Sequence, residues 1–366
     1  MKIFYDHYIF SSIKFGGISK YMCELLKNIP REKWITSTLI SNNQHIKDAK
    51  LVKTIPFFPN QEFRGKWRIM TELNMPYTKC KLRTANWDIF HPTYFATPYL
   101  NLNYIKDKPL IITIHDLIYD VFYKDKNIPH CNEIIDMGKR SAKQANKIIA
   151  VSEYTKQDMI REWGIDEKKI EVIYHGVDKE KYPISKDRLV LNPYIFFAGG
   201  ARGANKNFEH LIEAFSIVSK KYKDLKLVCS GTKFTNQEEA ELQRLKIHDK
   251  VINFYATEME MAQLYNDAEM LVVPSYYEGF GMPILEAMVY DCPVVVSDAS
   301  CFPEIAGEAG IYFNPYDAEE MSEKITLLLE NDSLREQQQK NGQKRLENFS
   351  WQKCANEHLA VYNSLL

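Results

Sequence analysis

Met270-Leu271-Val272-Val273-Pro274-Ser275-Tyr276-Tyr277-Glu278-Gly279-Phe280-Gly281-Met282-Pro283-Ile284-Leu285-Glu286 runs from an apolar tetrapeptide, through a loop with two glycines, into a helix-like segment. The tetrapeptide has the unbroken apolar character of a parallel strand buried on both faces, and Ile284 to Val289 suits a helix. A single amphipathic helix carrying both glutamates is the competing reading. Gly279, Gly281 and Pro283 oppose it, since two glycines and an interior proline cost about 5 kcal/mol of helix propensity. Proline at a first helical position is favoured instead. Strand, glycine turn and helix is how open α/β sheets present a helix N-terminus to an anion at a strand's carboxyl end. Glu278 then lies on the loop and Glu286 in the first turns of the helix.

Working outward, apolar runs alternate with helical patterns twice. Strands are expected at Lys2 to Tyr5, Ser37 to Ile40, Ile89 to His91, Leu110 to His115 and Lys147 to Val151. A second series falls at Tyr194 to Ala198, Lys226 to Cys229, Val251 to Phe254, Met270 to Pro274, Pro293 to Ser297 and Gly310 to Phe313. Such alternation implies parallel sheets with right-handed crossovers. A chain of 366 residues exceeds one ordinary core, so two doubly wound domains facing a cleft are expected. The polar stretch from His175 to Pro193 carries the boundary: residues 1–185 form the first domain, 186–348 the second, and 349–366 a terminal helix.

With 45% hydrophobic residues, 26% charged and a formal net charge of -1, the chain lacks the positive bias of a nucleic-acid binder. Its seven cysteines are scattered without a C-x-x-C pair, which suits reduced thiols and a cytoplasmic setting. The first residues lack the apolar stretch of a signal peptide and no run is long enough to span a bilayer, so any membrane association is expected to be peripheral, at the inner face of the cell membrane. There is no D-x-D, no H-E-x-x-H and no His/Cys cluster, so no metal site is expected.

Further loops fall at strand ends. Gly199-Gly200-Ala201-Arg202-Gly203-Ala204-Asn205-Lys206-Asn207 follows an expected strand, and a guanidinium and an ammonium four residues apart can clamp a diphosphate; a solvated turn with incidental cations is the alternative. Gly16-Gly17 opens a helix after the first strand, as either an anion cradle or a plain turn. His115 closes a buried strand, where a structural hydrogen-bonding role and a functional one are equally open; His91 and His175 sit similarly. Between Phe63 and Arg83 lies a basic segment with interleaved apolar residues, which reads as a solvated helix face or as a docking surface for an anionic membrane or lipid diphosphate.

Glu278 and Glu286, as E-x7-E within Pro-Ser-Tyr-Tyr-Glu-Gly-Phe-Gly-Met-Pro-Ile-Leu-Glu-Ala, resemble the signature of the retaining glycosyltransferases of family four, which have the GT-B fold. The resemblance extends over nearly the whole chain: Gly16-Gly17, His115-Asp116, Val151-Ser152-Glu153-Tyr154, His175-Gly176-Val177-Asp178, Arg202, Lys206-Asn207, Pro303-Glu304, Ala309-Gly310 and Phe349-Ser350-Trp351 match the family's pattern in order. It implies metal-independent transfer of a hexose, with mannose favoured, from a nucleoside-diphosphate sugar to a glycan or lipid-linked acceptor in polysaccharide biosynthesis, with no other cofactor. It further implies that Glu278 binds the sugar hydroxyls, helped by the amides of Gly279, Phe280 and Gly281, with Met282 beside them. Glu286 would hold the ribose, Arg202 and Lys206 the diphosphate, Gly16 and Gly17 the donor, and His115 the sugar near its anomeric carbon. The family reaction is drawn as front-face, a donor phosphate oxygen taking the acceptor's proton. A sugar-nucleotide epimerase of the same fold and a non-catalytic glycan-binding protein are the alternatives.

Overall fold

The structure of the protein is a computed structural model that describes residues 1–103, 105–124, 131–200 and 202–366. Its strands are β1 (Ile3–Tyr5), β2 (Trp34–Thr36), β3 (Ile89–Phe90), β4 (Ile111–Ile114), β5 (Lys147–Ala150), β6 (Ile170–Val172), β7 (Tyr194–Gly200), β8 (Lys226–Gly231), β9 (Val251–Phe254), β10 (Met270–Val273), β11 (Val294–Ser297) and β12 (Gly310–Phe313). Every strand pair in these sheets is parallel, as expected of strands separated by helices.

The chain divides into two units, Met1–Gly176 with Trp351–Leu366, and Val177–Ser350. The division thus falls at Gly176/Val177, nine residues before the expected 185/186, because the backbone and side chains of 181–188 bond to the second unit. Tyr182 N–H donates to the Tyr290 hydroxyl and Ser185 N–H to the Gln263 carboxamide.

In the first unit the strands run β2-β1-β3 and β4-β5-β6, and a single bridge from Phe90 to Leu110 joins the two sets. The second strand lies at Trp34–Thr36, not at Ser37 to Ile40 as the apolar pattern suggests. Its partner β1 ends at Tyr5, opposite Thr36, and the N–H groups of Leu39 and Ile40 turn instead to the Asn74 carboxamide oxygen at 3.0 and 2.9 Å. Strand β6 was not expected at all. The helix Trp351–Asn363 docks on this unit through a buried polar chain. Tyr362 hydroxyl bonds to Tyr5 hydroxyl (2.8 Å) and His91 Nδ1 (2.7 Å), His91 Nε2 to Thr113 (2.9 Å), and Tyr21 hydroxyl to His358 Nε2 (2.7 Å).

The second unit is one six-stranded sheet, ordered β12-β11-β10-β7-β8-β9. Phe197, Leu211, Phe215, Leu227, Val272, Val295 and Ile325 fill its core. All four residues of β10 are buried between β7 and β11, which is why its sequence is continuously apolar rather than alternating. At the adjoining ends of β7 and β8 the backbones nearly touch. A Cβ on Gly231, whose φ is +123°, would stand 1.9 Å from the Gly200 carbonyl oxygen, so only glycine fits there.

Candidate active site

The order of the second sheet places a topological switch between β7 and β10. The chain builds outward from β7 through β8 to β9, then returns to lay β10 on the other side of β7. Ligands of open α/β sheets bind at the strand carboxyl ends of such a point. The two loops leaving it are 201–207 and 274–281, the pair that carries Lys206 and Glu278.

These loops are tied together by main-chain and amide bonds. Tyr276 N–H donates to the Asn205 carbonyl (2.8 Å), and the Asn205 amide donates to the Tyr277 carbonyl (3.1 Å). Asn207, with φ +54°, donates to the carbonyls of Pro274 (2.9 Å) and Pro315 (2.6 Å). On this frame Lys206 Nζ meets Glu278 Oε1 at 2.8 Å, and the Ser275 hydroxyl donates to the same oxygen at 2.8 Å. The two ion-pair side chains remain 24% and 15% exposed, so solvent and solutes reach them.

Ser300, on the loop after β11, fixes the Glu278 backbone from the other side. Its hydroxyl accepts from Glu278 N–H (3.1 Å) and donates to the Glu278 carbonyl (2.6 Å). Ser300 does so from the left-handed region, at φ +56°. We expect Ser300→Ala to cost about 1–2 kcal/mol in urea unfolding through the loss of these bonds, and Ser300→Gly to cost less, because glycine adopts that φ without strain. Equal losses in the two variants would show that the backbone at 300 is unstrained.

Gly281, at φ +86°, precedes the helix Met282–Val289, with Pro283 in its first turn. The alternative of one continuous helix carrying both glutamates is thereby excluded: the loop, turn and helix are distinct. Gly279, Phe280 and Gly281 are buried, and the Phe280 ring meets Phe349 at 5.9 Å between centroids. Glu286 lies in the middle of this helix and accepts from the Tyr265 hydroxyl at 3.1 Å. Burial, then the charge of Glu286, raises the Tyr265 phenol well above its usual value, which keeps it a donor.

Arg202 and Lys206 are not equivalent cations. The Arg202 side chain is 2% exposed, with Nε 2.8 Å from Glu238 and Nη2 2.7 Å from the Thr232 carbonyl. Its guanidinium lies over Phe234 at 4.6 Å. Burial alone would raise the Glu238 carboxyl, but hydrogen bonds from Arg202 and Thr235 bring it below the usual carboxylate value. One donor is left over: Arg202 Nη1 is buried and has no hydrogen-bond partner among the described residues. Ala201, within the same loop, lies outside the described residues.

Gly16, Gly17 and His115 belong to the first unit. Gly16 caps the helix Gly17–Asn28, and a Cβ on Gly17 would meet open space. His115 immediately follows β4, with its ring edge-on to Tyr21 (4.8 Å) and His175 (5.5 Å). Burial, then repulsion from His358, pushes its pKa down to about 3, so the ring is neutral at physiological pH. Among the described residues no group of three or more His, Cys, Asp or Glu side chains could hold a metal ion, and no helix is long and apolar enough to cross a membrane.

Sequence reasoning missed Ser275, Ser300, Asn205, Tyr265 and Glu238. Only Ser275, three residues before Glu278, had a local signal. Ser300 and Glu238 reach their partners across the sheet, 22 and 36 residues away along the chain.

A model of the family described as Glycosyltransferase Family 4 matches residues 15–181, and one described as Glycosyl transferases group 1 matches 178–345. Among curated proteins the chain is similar to the O-antigen chain mannosyltransferase RfbU of Salmonella typhimurium, 32% identical over 207 residues, covering 56% of this chain and 57% of that protein. It is also similar to the O-antigen chain mannosyltransferase B of Escherichia coli, 28% identical over 240 residues and covering 62% of each. The chain thus spans about three fifths of the length of these relatives. Sucrose-phosphate synthase from Thermosynechococcus elongatus superimposes with a TM-score of 0.79, covering 100% of this chain and 99% of that one at 19% identity, a likeness that shows the GT-B fold alone. Between them the two family models account for residues 15–345, and the chain belongs to the glycosyltransferases of group 1 and family 4.

Proposed function

We propose that this protein transfers a hexose from a nucleoside-diphosphate sugar to a glycan or lipid-linked acceptor in polysaccharide biosynthesis, with retention of configuration and without a metal. The carrying observation is the Lys206–Glu278 pair at the switch point, beside the start of the helix that bears Glu286. Departure of a diphosphate develops negative charge, and a fixed cation with a helix N-terminus is suited to stabilise it. In this reading Lys206 leaves Glu278 for the diphosphate when the donor arrives, the unused Nη1 of Arg202 adds a hydrogen bond, and Glu278, kept in place by Ser275, accepts from sugar hydroxyls. Glu286 accepts from the ribose. Amides of Gly279, Phe280, Gly281 and Met282 line the sugar and phosphates, Gly16 and Gly17 contact the donor, and the neutral His115 hydrogen-bonds the sugar near its anomeric carbon.

The sugar we propose is mannose, since both relatives above are mannosyltransferases by name, and the carrier we propose for it is GDP. A thermal-shift panel of GDP, UDP and ADP sugars tests the donor, because a ligand at one hundred times its Kd stabilises by about 2.7 kcal/mol. GDP-mannose is expected to give the largest shift. Nucleoside diphosphate should then be released in quantity only with acceptor present, and the product should keep the donor's anomeric configuration by NMR. Conversion of the donor with no acceptor would mark an epimerase instead, and absence of any shift across the panel would remove the nucleotide-sugar reading.

A further inference from the structure

Glu286 stands on the helix Met282–Val289 and Tyr265 on the helix Glu258–Asp267. A glutamate side chain is long and rotamer-rich, so one that meets a ligand unrestrained loses that freedom on binding. Here the Tyr265 hydroxyl, 3.1 Å from Glu286 Oε2, holds the carboxylate beforehand. The ring that carries this hydroxyl is itself fixed. Tyr265 is buried, with Phe196 of β7 nearly perpendicular to it at 5.1 Å and Tyr290 parallel to it, within 6°, at 6.3 Å. Tyr290, at the end of the helix that bears Glu286, is held in turn by Tyr182 N–H, which donates to its hydroxyl at 3.1 Å.

A buried phenol needs an acceptor, and a main-chain carbonyl serves well. Tyr194 is satisfied in this way against the same helix, its hydroxyl donating to the Leu264 carbonyl at 2.8 Å. Tyr265, the next residue along, reaches instead to a carboxylate on a different helix. Burial, then the charge of Glu286, keeps its phenol protonated, so the hydroxyl donates, and a bond of this kind to a charged acceptor is stronger than one between neutral groups. Satisfying the phenol does not by itself require Glu286, whereas holding Glu286 in one orientation requires a donor at this place.

We propose that Tyr265 is the positioning residue for the ribose: it orients the Glu286 carboxylate for the sugar hydroxyls, and the preference for a ribonucleoside over a 2′-deoxyribonucleoside diphosphate depends on it. This role rests on the donor reading above, in which Glu286 holds the ribose. Tyr265 acts through Glu286 and not on the ligand. A binding group fixed in advance leaves less ordering for the ligand to impose, so removing the hydroxyl weakens affinity for the ribose. The ribose is held alike in the ground and transition states. The loss therefore falls on KM for the donor and leaves kcat nearly unchanged.

The test is isothermal titration of the full chain with GDP, UDP and ADP and with the 2′-deoxy form of each, beside initial rates of transfer. Wild type is expected to bind the ribo form of its own base about tenfold more tightly than the deoxy form. Tyr265→Phe keeps the ring and its packing. It should weaken the ribo form about fivefold, with KM for the donor raised to match, and leave the deoxy form within about twofold of wild type. Tyr194→Phe removes the other buried hydroxyl bonded to this helix, so it should lower the unfolding temperature yet keep the full ribose preference. Equal weakening of both forms by Tyr265→Phe, or a lost preference in Tyr194→Phe, would mean that the helix is merely loosened, and overturns the proposal. A Tyr265→Phe chain that keeps the wild-type preference overturns it alone and leaves the donor reading standing. Equal binding of ribo and deoxy forms by wild type removes the ribose role of Glu286, and binding of no nucleoside diphosphate removes the nucleotide-sugar reading; either result overturns the role of Tyr265 as well.

Discussion

Lowering the pH from 7.5 to 5.5 is expected to remove on the order of 5 kcal/mol from the stability of the first unit, comparable with the whole stability of an ordinary domain. The cause is a set of five histidines, His7, His91, His115, His175 and His358, all less than a tenth exposed. Burial holds His7 and His115 near about 3 and His358 near about 4, the last partly opposed by its bond to the Cys354 carbonyl. His91 and His175 lie well below the usual imidazole value, through burial and then through neighbouring histidines. All five are therefore neutral in the folded state, while in the unfolded chain they titrate near about 6.5.

Above that pH neither state binds the protons and stability is fully present. Below it the unfolded state binds up to five more protons than the folded one, so stability falls with falling pH by about 1.4 kcal/mol per histidine per pH unit. The loss continues until the folded-state values near about 4 and 3 are reached. Asp6 and Glu357, whose carboxyls are raised by burial, work in the opposite sense but are two groups against five. Protonating within the cluster is also resisted by geometry, with His91 stacked on His358 at 6.2 Å and His115 against His175 at 5.5 Å. Urea titrations followed by tryptophan fluorescence at pH 7.5, 6.5 and 5.5 measure the slope. A flat profile over that range would refute the account, and His358→Gln, which cannot titrate, should lower the slope by about one proton.

How much of this was legible in sequence depends on the range of the interaction. β10 and the glycine turn after it could be read locally, because four apolar residues followed by two glycines and a proline leave few backbone solutions. The second strand could not. Trp34-Ile35-Thr36 and Thr38-Leu39-Ile40 are comparable apolar runs, and only the end of β1 at Tyr5, with Asn74 waiting for the next N–H groups, decides between them. β6 escaped because Ile170-Glu171-Val172 is three residues long and gains its place from pairing with β5.

The site divides in the same way. Glu278, Glu286 and Lys206 announce themselves through loop chemistry, whereas the commitment of Arg202 to Glu238 arises from a helix cap 36 residues on. His115, taken singly, was as consistent with a structural role as with a functional one, while His91 and His175 favoured the structural role. Their meeting around Tyr21 and the final helix is a property of the tertiary fold. The basic run from Phe63 to Arg83 was visible as charge, but which of its side chains face the core is decided by the fold, which buries Lys66, Asn74 and Thr78.

Lys206→Ala is expected to lower kcat/KM by about 10²- to 10³-fold, the range seen when one preorganised donor to developing negative charge is removed. The geometry of the Lys206–Glu278 pair lets this be separated from simple loss of an ion pair. Lys206 and Glu278 share one contact, Nζ to Oε1, at a partly exposed position, where such a pair contributes roughly 0–1 kcal/mol to folding. A structural role thus predicts a small stability change, little change in activity, and a double variant with Glu278→Gln no worse than either single one.

The proposed roles predict a different pattern. With donor bound, the lysine faces phosphate and the glutamate faces sugar, so the two losses fall on different parts of the ligand and should multiply. GDP alone should bind Lys206→Ala more weakly but Glu278→Gln as well as wild type, since it has no hexose for Glu278 to hold. Glu286→Ala should weaken GDP and GDP-mannose alike through the ribose. Lys206→Arg keeps the charge but replaces a compact ammonium by a planar fork, so it should restore GDP binding better than turnover. Isothermal titration with GDP and GDP-mannose, beside initial rates of transfer, resolves all four variants. A Lys206→Ala enzyme within about threefold of wild type would mean that the diphosphate's charge is met elsewhere, with the unused Nη1 of Arg202 the group to replace next.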